Sequence, residues 1–409
     1  MKIIFIANGG LNSNSGMHIF HLANAIAAHG VECVAYIQGK AEEALAHGRP
    51  KFTVYSAFDC SPRSFAGRLA MEHSEYIIHC WTPREVSRNA AEPLAAVLDA
   101  PVIVHMEDNE EIVFKTHSSD WNLNPELEEN WLPDARLYRL SHPARHKEFL
   151  ARVHGYTCII NSLLEFKPPH IPGHIIWPSC EEAFFTLPPM SRPEDKIRLG
   201  IPPECPVLFY PGAMHPNNRQ EILELYEAVC LLRQADMPIK IIKLGKYVTD
   251  VAQHFAAWGI NDCLVDLTDK VKPAEIPRLM RAVDFLAQPG RDDAFNHYRF
   301  PCKLPMFLAS GRPVLLPESN LGFMLTHGKN CLLLRNTDKP AIEICALLKM
   351  LMKNPALASS IGQAGRAFAR EHFSWAKTAN RLIPFYGDVL SDYKKHSEGR
   401  KRRGDNACP

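Results

Sequence analysis

At 409 residues the chain is too long for one hydrophobic core and suits two α/β domains of ordinary size. An apolar fraction of 46% with 22% charged residues is the balance of a globular protein and excludes a disordered one. The formal net charge of +1 supplies no overall field toward nucleic acid, so any bound anion must be held by local groups.

The apolar run Lys2–Ala7 predicts a buried strand, Met17–His29 a helix and Val31–Ile37 a second strand. The first run is too short for a secretory h-region and no stretch of 18 apolar residues occurs, so a cytoplasmic protein without a spanning helix is expected. Further strands are predicted at Tyr76–His79, Val102–His105, Cys158–Asn161 and His174–Trp177. Strands separated by helices imply a parallel sheet covered on both faces. Residues 1–183 therefore make a first Rossmann-like domain. The stretch 184–206, rich in proline and charge, is expected to be a linker.

The alternation then restarts, with strands at Val207–Tyr210, Ile239–Leu244, Cys263–Leu267, Phe285–Gln288, Pro313–Pro317 and Asn330–Leu334. Helices are predicted at Arg219–Gln234, Pro301–Ser310, Lys339–Met352, about Ala356–Glu371 and about Trp375–Leu390. Residues 207–372 thus form a second Rossmann-like domain, and two doubly wound units place a ligand cleft between their carboxyl-end loops. Residues 393–409, carrying Lys394, Lys395, Arg400, Lys401, Arg402 and Arg403, are expected to be a basic disordered tail. Weak contact with anionic lipid is the alternative for that tail. The twelve cysteines are scattered singly, none in a C-x-x-C pair or at zinc-ligand spacing with histidines, which predicts reduced thiols and no metal site.

Three segments carry candidate chemistry. The loop from Asn8 through Gly9 and Gly10 to Gly16 and His18 follows the first strand, where glycines permit close approach of a ligand. It lacks the G-x-G-x-x-G spacing of dinucleotide enzymes, and a turn that only serves the fold is an equal alternative. The segment Val102 to Glu111 puts His105 and Glu107 at a strand's carboxyl end, where titratable residues have no packing purpose. Asp108 or Asn109 is expected to cap the next helix, with Glu110 and Glu111 in its acidic first turn, and His79 to be structural. In the segment Pro289 to Val314, Pro301 suits a helix start and Gly311 a left-handed helix stop. Arg299 and Lys303 then fall around the helix entry, where two cations beside free amides suit a diphosphate.

The reading Arg299-Phe-Pro-Cys-Lys303-Leu followed by Ala309-Ser-Gly-Arg-Pro-Val resembles the donor-site region of family 4 (group 1) retaining glycosyltransferases of the B-type fold. The likeness extends to the loop Gly9–His18, to Ile175–Phe184, to Tyr210–Arg219, to Asn320–Gly322 and to Phe373-Ser-Trp375. It implies two Rossmann-like parallel-sheet domains facing across a cleft, with residues 373–392 crossing back to the first domain. The implied activity is transfer of a sugar from a nucleotide-sugar co-substrate, with retained anomeric configuration and no metal or other cofactor. The acceptor would be a glycan, a lipid-linked glycan or a small molecule. By position, Arg299 and Lys303 would hold diphosphate with Asn217, Asn218, Arg219 and Asn296 nearby, and the base would rest near Val271. His105, with Glu107, would act at the transferred sugar, and Gly10 would approach donor or acceptor.

The chain departs from the family pattern at two positions. Met306 stands where the family has a glutamate for the ribose hydroxyls, and Ala213 where an arginine often follows the glycine. Asp292, Asp293 or Glu318 could grip the nucleotide instead. A B-type fold serving as a binding or partner subunit, and a nucleotide-sugar epimerase, are the alternative functions.

Overall fold

The computed structural model describes residues 1–120, 136–214, 218–247, 252–335 and 338–405. The chain divides into two compact units, Met1–Pro178 with Trp375–Pro409, and Ser179–Ser374.

The first unit is built on β1 (Lys2–Ile6), β2 (Glu32–Ile37), β3 (Thr53–Ser56), β4 (Tyr76–Trp81), β5 (Val102–Met106), β6 (Gly155–Cys158) and β7 (Gly173–Ile175). Its seven strands lie in the order β3-β2-β1-β4-β5-β6-β7, and every pairing is parallel. Central strands of such a sheet are covered on both faces, which is why Ile3, Ile4, Phe5 and Ile6 are all buried. β3 has no counterpart among the predicted strands. It is an edge strand reading Thr-Val-Tyr-Ser, only partly buried, and so lacks a continuous apolar run. β6 begins at Gly155, earlier than predicted, because Gly155 to Cys158 pair with Ile103 to Met106 while Asn161 opens a 3₁₀ turn.

The second unit holds β8 (Val207–Tyr210), β9 (Lys240–Lys243), β10 (Leu264–Asp266), β11 (Phe285–Ala287), β12 (Val314–Pro317) and β13 (Leu332–Leu334). They run in the order β10-β9-β8-β11-β12-β13, again all parallel. Helix Arg219–Gln234 covers one face through Ile222, Leu225, Tyr226 and Val229.

Two predicted boundaries change. The stretch read as a linker is packed into the second unit as short helices Glu182–Phe185 and Pro193–Ile197. Phe184 and Phe185 are buried there, and the Lys196 ammonium meets Asp284 at 2.7 Å and the Cys205 carbonyl at 3.0 Å. Its prolines punctuate short helices; Pro193 sits in a first turn, where the missing N–H has no partner to lose. The last helix runs from Trp375 to Asp405, so residues 393–405 are helical and not disordered. Leu382, Tyr386 and Val389 bury it in the first unit's core. The Tyr393 hydroxyl donates to Asp99 at 2.7 Å and Lys394 pairs with Glu75, which tethers the basic end. Among the described residues no helix is long and apolar enough to cross a membrane.

Candidate functional site

In the second unit the carboxyl ends of β8, β11 and β12 carry one connected polar cluster. β8 leads into Gly212, whose backbone lies against Gly245 beyond β9; a Cβ on Gly245 would stand 2.2 Å from the Gly212 carbonyl oxygen. Asn218 and Arg219 follow at the start of helix Arg219–Gln234. The Asn218 amide donates to the Ala213 carbonyl at 3.0 Å, and Arg219 Nε is buried without a partner among the described residues. Asn217 lies outside the described residues. From the β11 side, Asp293 caps the short helix Ala294–His297 by accepting from the Asn296 amide at 2.7 Å. The Asn296 side chain donates to Glu221 at 3.2 Å. Burial raises the Glu221 carboxyl above its ordinary value, against the Asn296 hydrogen bond. Arg291 pairs with Glu224 on the same helix.

Asn320, following β12, fixes the loop from the third side. Its backbone is left-handed at φ 57°, and its amide donates to the carbonyls of Asn296, at 2.6 Å, and Arg299. That places Arg299 and Lys303 at the cluster's edge. Among the described residues no carboxylate or hydrogen-bond acceptor meets the Lys303 ammonium. Burial lowers its pKa, as does the neighbouring Arg299 charge.

One expectation at this end is corrected. The helix opens at Leu304 with Lys303 as N-cap, not at Pro301, and spans only Leu304–Ala309. The Leu304 amide is already bonded to the Pro301 carbonyl at 2.7 Å, and Pro305 has no amide. The first two helical positions therefore offer no free N–H to an anion. Gly311 is left-handed at φ 74° and closes the helix, as its position implies. Of the carboxylates considered for the nucleotide, Asp293 is the cap and Glu318 accepts from Arg335 at 2.8 Å. Asp292 is exposed and Met306 half-buried. Val271 follows β10, which β9 and β8 separate from β11.

The first unit presents a second cluster at the carboxyl ends of β4 and β5. Ser13 caps helix Asn14–Ala27 by accepting from the Gly16 amide at 3.0 Å and donates to the Gly10 carbonyl at 2.8 Å. Gly10 is packed by its own chain. A Cβ there would stand 1.9 Å from Glu43 Oε2, and one on Gly39 2.6 Å from the Gly10 Cα. Glu107 accepts from the Ser15 hydroxyl and faces His18 Nδ1 at 3.1 Å. Asn109 is the helix cap, accepting from the Glu111 and Ile112 amides at 3.1 and 3.2 Å. Arg84 ties down Asp108 and Glu110.

His105 is wholly buried, not exposed as a titratable group at a strand's end was expected to be. Its ring packs on Trp81 with centroids 3.9 Å apart, its Nδ1 meets the Thr157 hydroxyl at 2.9 Å, and its Nε2 has no partner among the described residues. Thr157, Trp81 and Tyr386, and in the second unit Glu221, belong to these candidate clusters although the sequence assigned them no role, and Asn320 entered only through the family likeness. A tyrosine on a late helix and a threonine inside an apolar strand carry no local signal of such contacts.

Burial pushes the His105 pKa down to about 3, with the Glu107 charge opposing, and burial likewise holds His79 well below its ordinary value. For Glu107 burial alone would raise the pKa, but hydrogen bonds and charge from His18 hold it at about 2. The unfolded chain takes up a proton on each histidine near pH 6.5 while the folded chain does not, so stability falls as pH drops through that value. For His105 the loss runs between about pH 6.5 and 3, at about 1.4 kcal/mol per pH unit. Glu107 adds to it from about pH 4.3 down to 2, where the unfolded carboxylate protonates first. Urea midpoints measured at pH 7, 6 and 5 should decrease steadily; an unchanged midpoint would mean the buried histidines are not held neutral.

A cavity of about 430 Å³ lies beside this cluster, beyond β5 and β6. Its wall combines apolar Met106, Leu150 and Phe166 with polar Asn109, Lys147 and Lys167. The Lys167 ammonium donates to the Pro168 and Ile171 carbonyls at 2.9 and 2.8 Å.

Two parallel-sheet Rossmann-like units, with the last helix returning to the first, define the B-type glycosyltransferase fold. Anabaena HepE, whose structure was determined in complex with UDP-glucose, is similar at TM-score 0.67 and 14% identity, covering 96% of this chain and all of that one (100%). Sucrose-phosphate synthase from Thermosynechococcus elongatus is similar at TM-score 0.64 and 14% identity, over 96% of this chain and 100% of that one. Residues 205–353, within the second unit, match the family described as Glycosyl transferases group 1. The D-inositol 3-phosphate glycosyltransferase of Jonesia denitrificans is 26% identical over 233 residues, 52% of this chain and 50% of that protein. Its counterpart in Kineococcus radiotolerans is 23% identical over 232 residues, 53% and 52% of the two chains. The chain spans about half the length of the curated relatives it matches.

Proposed function

We propose that this protein transfers a sugar from a nucleotide-sugar to a hydroxyl-bearing acceptor, with retention of anomeric configuration. The observation that carries the reading is the half-buried Lys303 ammonium, beside Arg299 and with no anionic partner among the described residues. A desolvated cation next to another cation is unfavourable until an anion joins it, and a diphosphate supplies that charge. The leaving diphosphate is then neutralised by arginine and lysine, a preorganised electrostatic role that calls for no metal. Asn218, Arg219 and Asn296 line the same strand ends. Val271 follows β10, a strand three spacings from β11, about 14 Å at ~4.8 Å per spacing. An extended nucleoside diphosphate covers about that span.

HepE binding UDP-glucose supports a uridine-linked donor, and the inositol phosphate relatives support a small polyhydroxylated acceptor. The first unit's cavity, with an apolar wall and hydrogen-bonding groups, suits such a ring or the end of a glycan. Glycoconjugate synthesis in the cytoplasm is the setting this reading gives the reaction. Calorimetric titration with UDP, GDP, ADP and TDP is expected to show selective binding of one of them; no binding of any would end the proposal. Met306 in place of a ribose-binding carboxylate favours one second reading, a subunit that binds nucleotide without turnover. Nucleotide binding without donor consumption over a panel of acceptors would select it.

A further inference from the structure

Four buried side chains of the first unit form a single hydrogen-bonded file. The Tyr386 hydroxyl lies 2.7 Å from His79 Nδ1, His79 Nε2 lies 2.9 Å from the Thr157 hydroxyl, and that hydroxyl lies 2.9 Å from His105 Nδ1. Each of the four is 0% exposed. Beyond the file, His105 Nε2 is buried without a partner among the described residues.

The protons of this file can be counted. Each neutral imidazole carries one N–H, and each hydroxyl one O–H, so four protons serve three gaps and one is left over. If Tyr386 donates to His79 Nδ1, then His79 Nε2–H donates to Thr157 and Thr157 donates to His105 Nδ1. The remaining proton sits on His105 Nε2. The reverse order leaves the Tyr386 O–H without an acceptor. A third order, with both histidines donating to Thr157, strands the Thr157 O–H. Every order therefore leaves one donor unpaired, the His105 Nε2–H in the first and a hydroxyl in the other two, but the other two also leave His105 Nε2 bare as an unmet acceptor. That one additional unsatisfied buried group disfavours them by roughly tenfold.

We infer that Tyr386, His79 and Thr157 are positioning residues that lock His105 as the neutral Nε2–H tautomer, a hydrogen-bond donor and not a base at that atom. Trp81, packed on the ring, holds its plane. The ligand such a donor suits is an oxygen of an uncharged sugar, a role that rests on the transfer reaction proposed above. The device reaches from the late helix to β5 through side chains 307 residues apart in sequence at its first link.

The test is a long-range proton–nitrogen spectrum of the full chain labelled with ¹⁵N-histidine, without ligand, at pH 7. His105 is expected to show a pyrrole-type Nε2 and a pyridine-type Nδ1, assigned by loss of the signals in His105→Asn. In Thr157→Val, which removes the donor to Nδ1, and in Tyr386→Phe, which removes the proton that orders the file, the tautomer ratio should move to within a few-fold of unity. Tyr386 does not touch His105, so a merely structural role for it would not shift that ratio. A protonated Nδ1 in the wild type overturns the inference, and this result needs no variant to fold. Unchanged Nε2–H signals in both folded variants overturn it too. Failure of the nucleotide titration would remove the proposed reaction but leave the tautomer result standing, so the two are separable.

Discussion

Replacing Lys303 by alanine lowers nucleoside diphosphate affinity by roughly 10- to 100-fold, the equivalent of one charge-assisted hydrogen bond at about 1.5–3 kcal/mol. The same change leaves the melting temperature unmoved or slightly raised. The reason for the pairing is the sign of the lysine's environment. Burial and the Arg299 charge both push its pKa down, so the folded protein holds this cation at a cost that is relieved only by an anion. At neutral pH the folded group must stay charged against that pressure, whereas in the unfolded chain it is charged freely. Removing it therefore relieves the apo protein while depriving the diphosphate of a partner. A purely structural lysine would show the opposite pattern, a lower melting temperature with unaltered binding. Calorimetry and thermal unfolding on the same preparation decide between them, and unaltered affinity would remove Lys303 from the site.

A larger effect, on stability, is expected at Arg312. This side chain is 2% exposed and is surrounded by carbonyl groups. Its Nε donates to the Val283 carbonyl at 2.7 Å, its Nη1 to the Ser310 carbonyl at 3.3 Å and to that of Pro188, and its Nη2 to the Met280 carbonyl at 3.4 Å. Arg366 does the same for Ala309, at 3.0 Å, Leu187, at 2.9 Å, and Ser310. Burial brings the Arg312 pKa down to about 10, with Asp284 opposing and Arg366 assisting, so it stays charged at neutral pH. Arg312→Met fills much of the volume but removes every side-chain donor from the Val283 and Pro188 carbonyls, while Ser310 keeps Arg366 and Met280 keeps the Val283 amide. Breaking a buried charged network of this kind costs about 3–5 kcal/mol. For a unit of this size that corresponds to a drop of roughly 10 °C. Arg312→Lys should recover only part, because three donors on a point charge cannot reproduce the planar fork. Denaturant titration measures the loss, and a change below about 1 kcal/mol would show that the carbonyls find other partners.

These two residues illustrate where sequence reading ends. Lys303 is marked by its own surroundings: Arg299 four positions before it, prolines on either side and Gly311 beyond. Arg312 stands in the same motif, yet its partners come from the 188, 280 and 283 positions, and nothing local announces them. The Pro-rich stretch behaved similarly. Its prolines read as a linker, but the buried Lys196–Asp284 contact and the two arginine clamps make it part of the second unit. The basic end of the chain, polar throughout, is helical because it extends a helix already anchored by Tyr386 and Val389.

By itself the sequence determined the two successive parallel sheets, the helix Arg219–Gln234 and the position of the cationic loop, because apolar periodicity and Gly and Pro constraints act over a few residues. Tertiary structure alone decided that Gly10 is packed by Glu43 and Gly39, that Asn320 holds the carbonyls of Asn296 and Arg299, and that Tyr386 meets His79. Those contacts join segments far apart along the chain, and hydrogen-bond demand in a buried place is set by whatever neighbour the fold brings there.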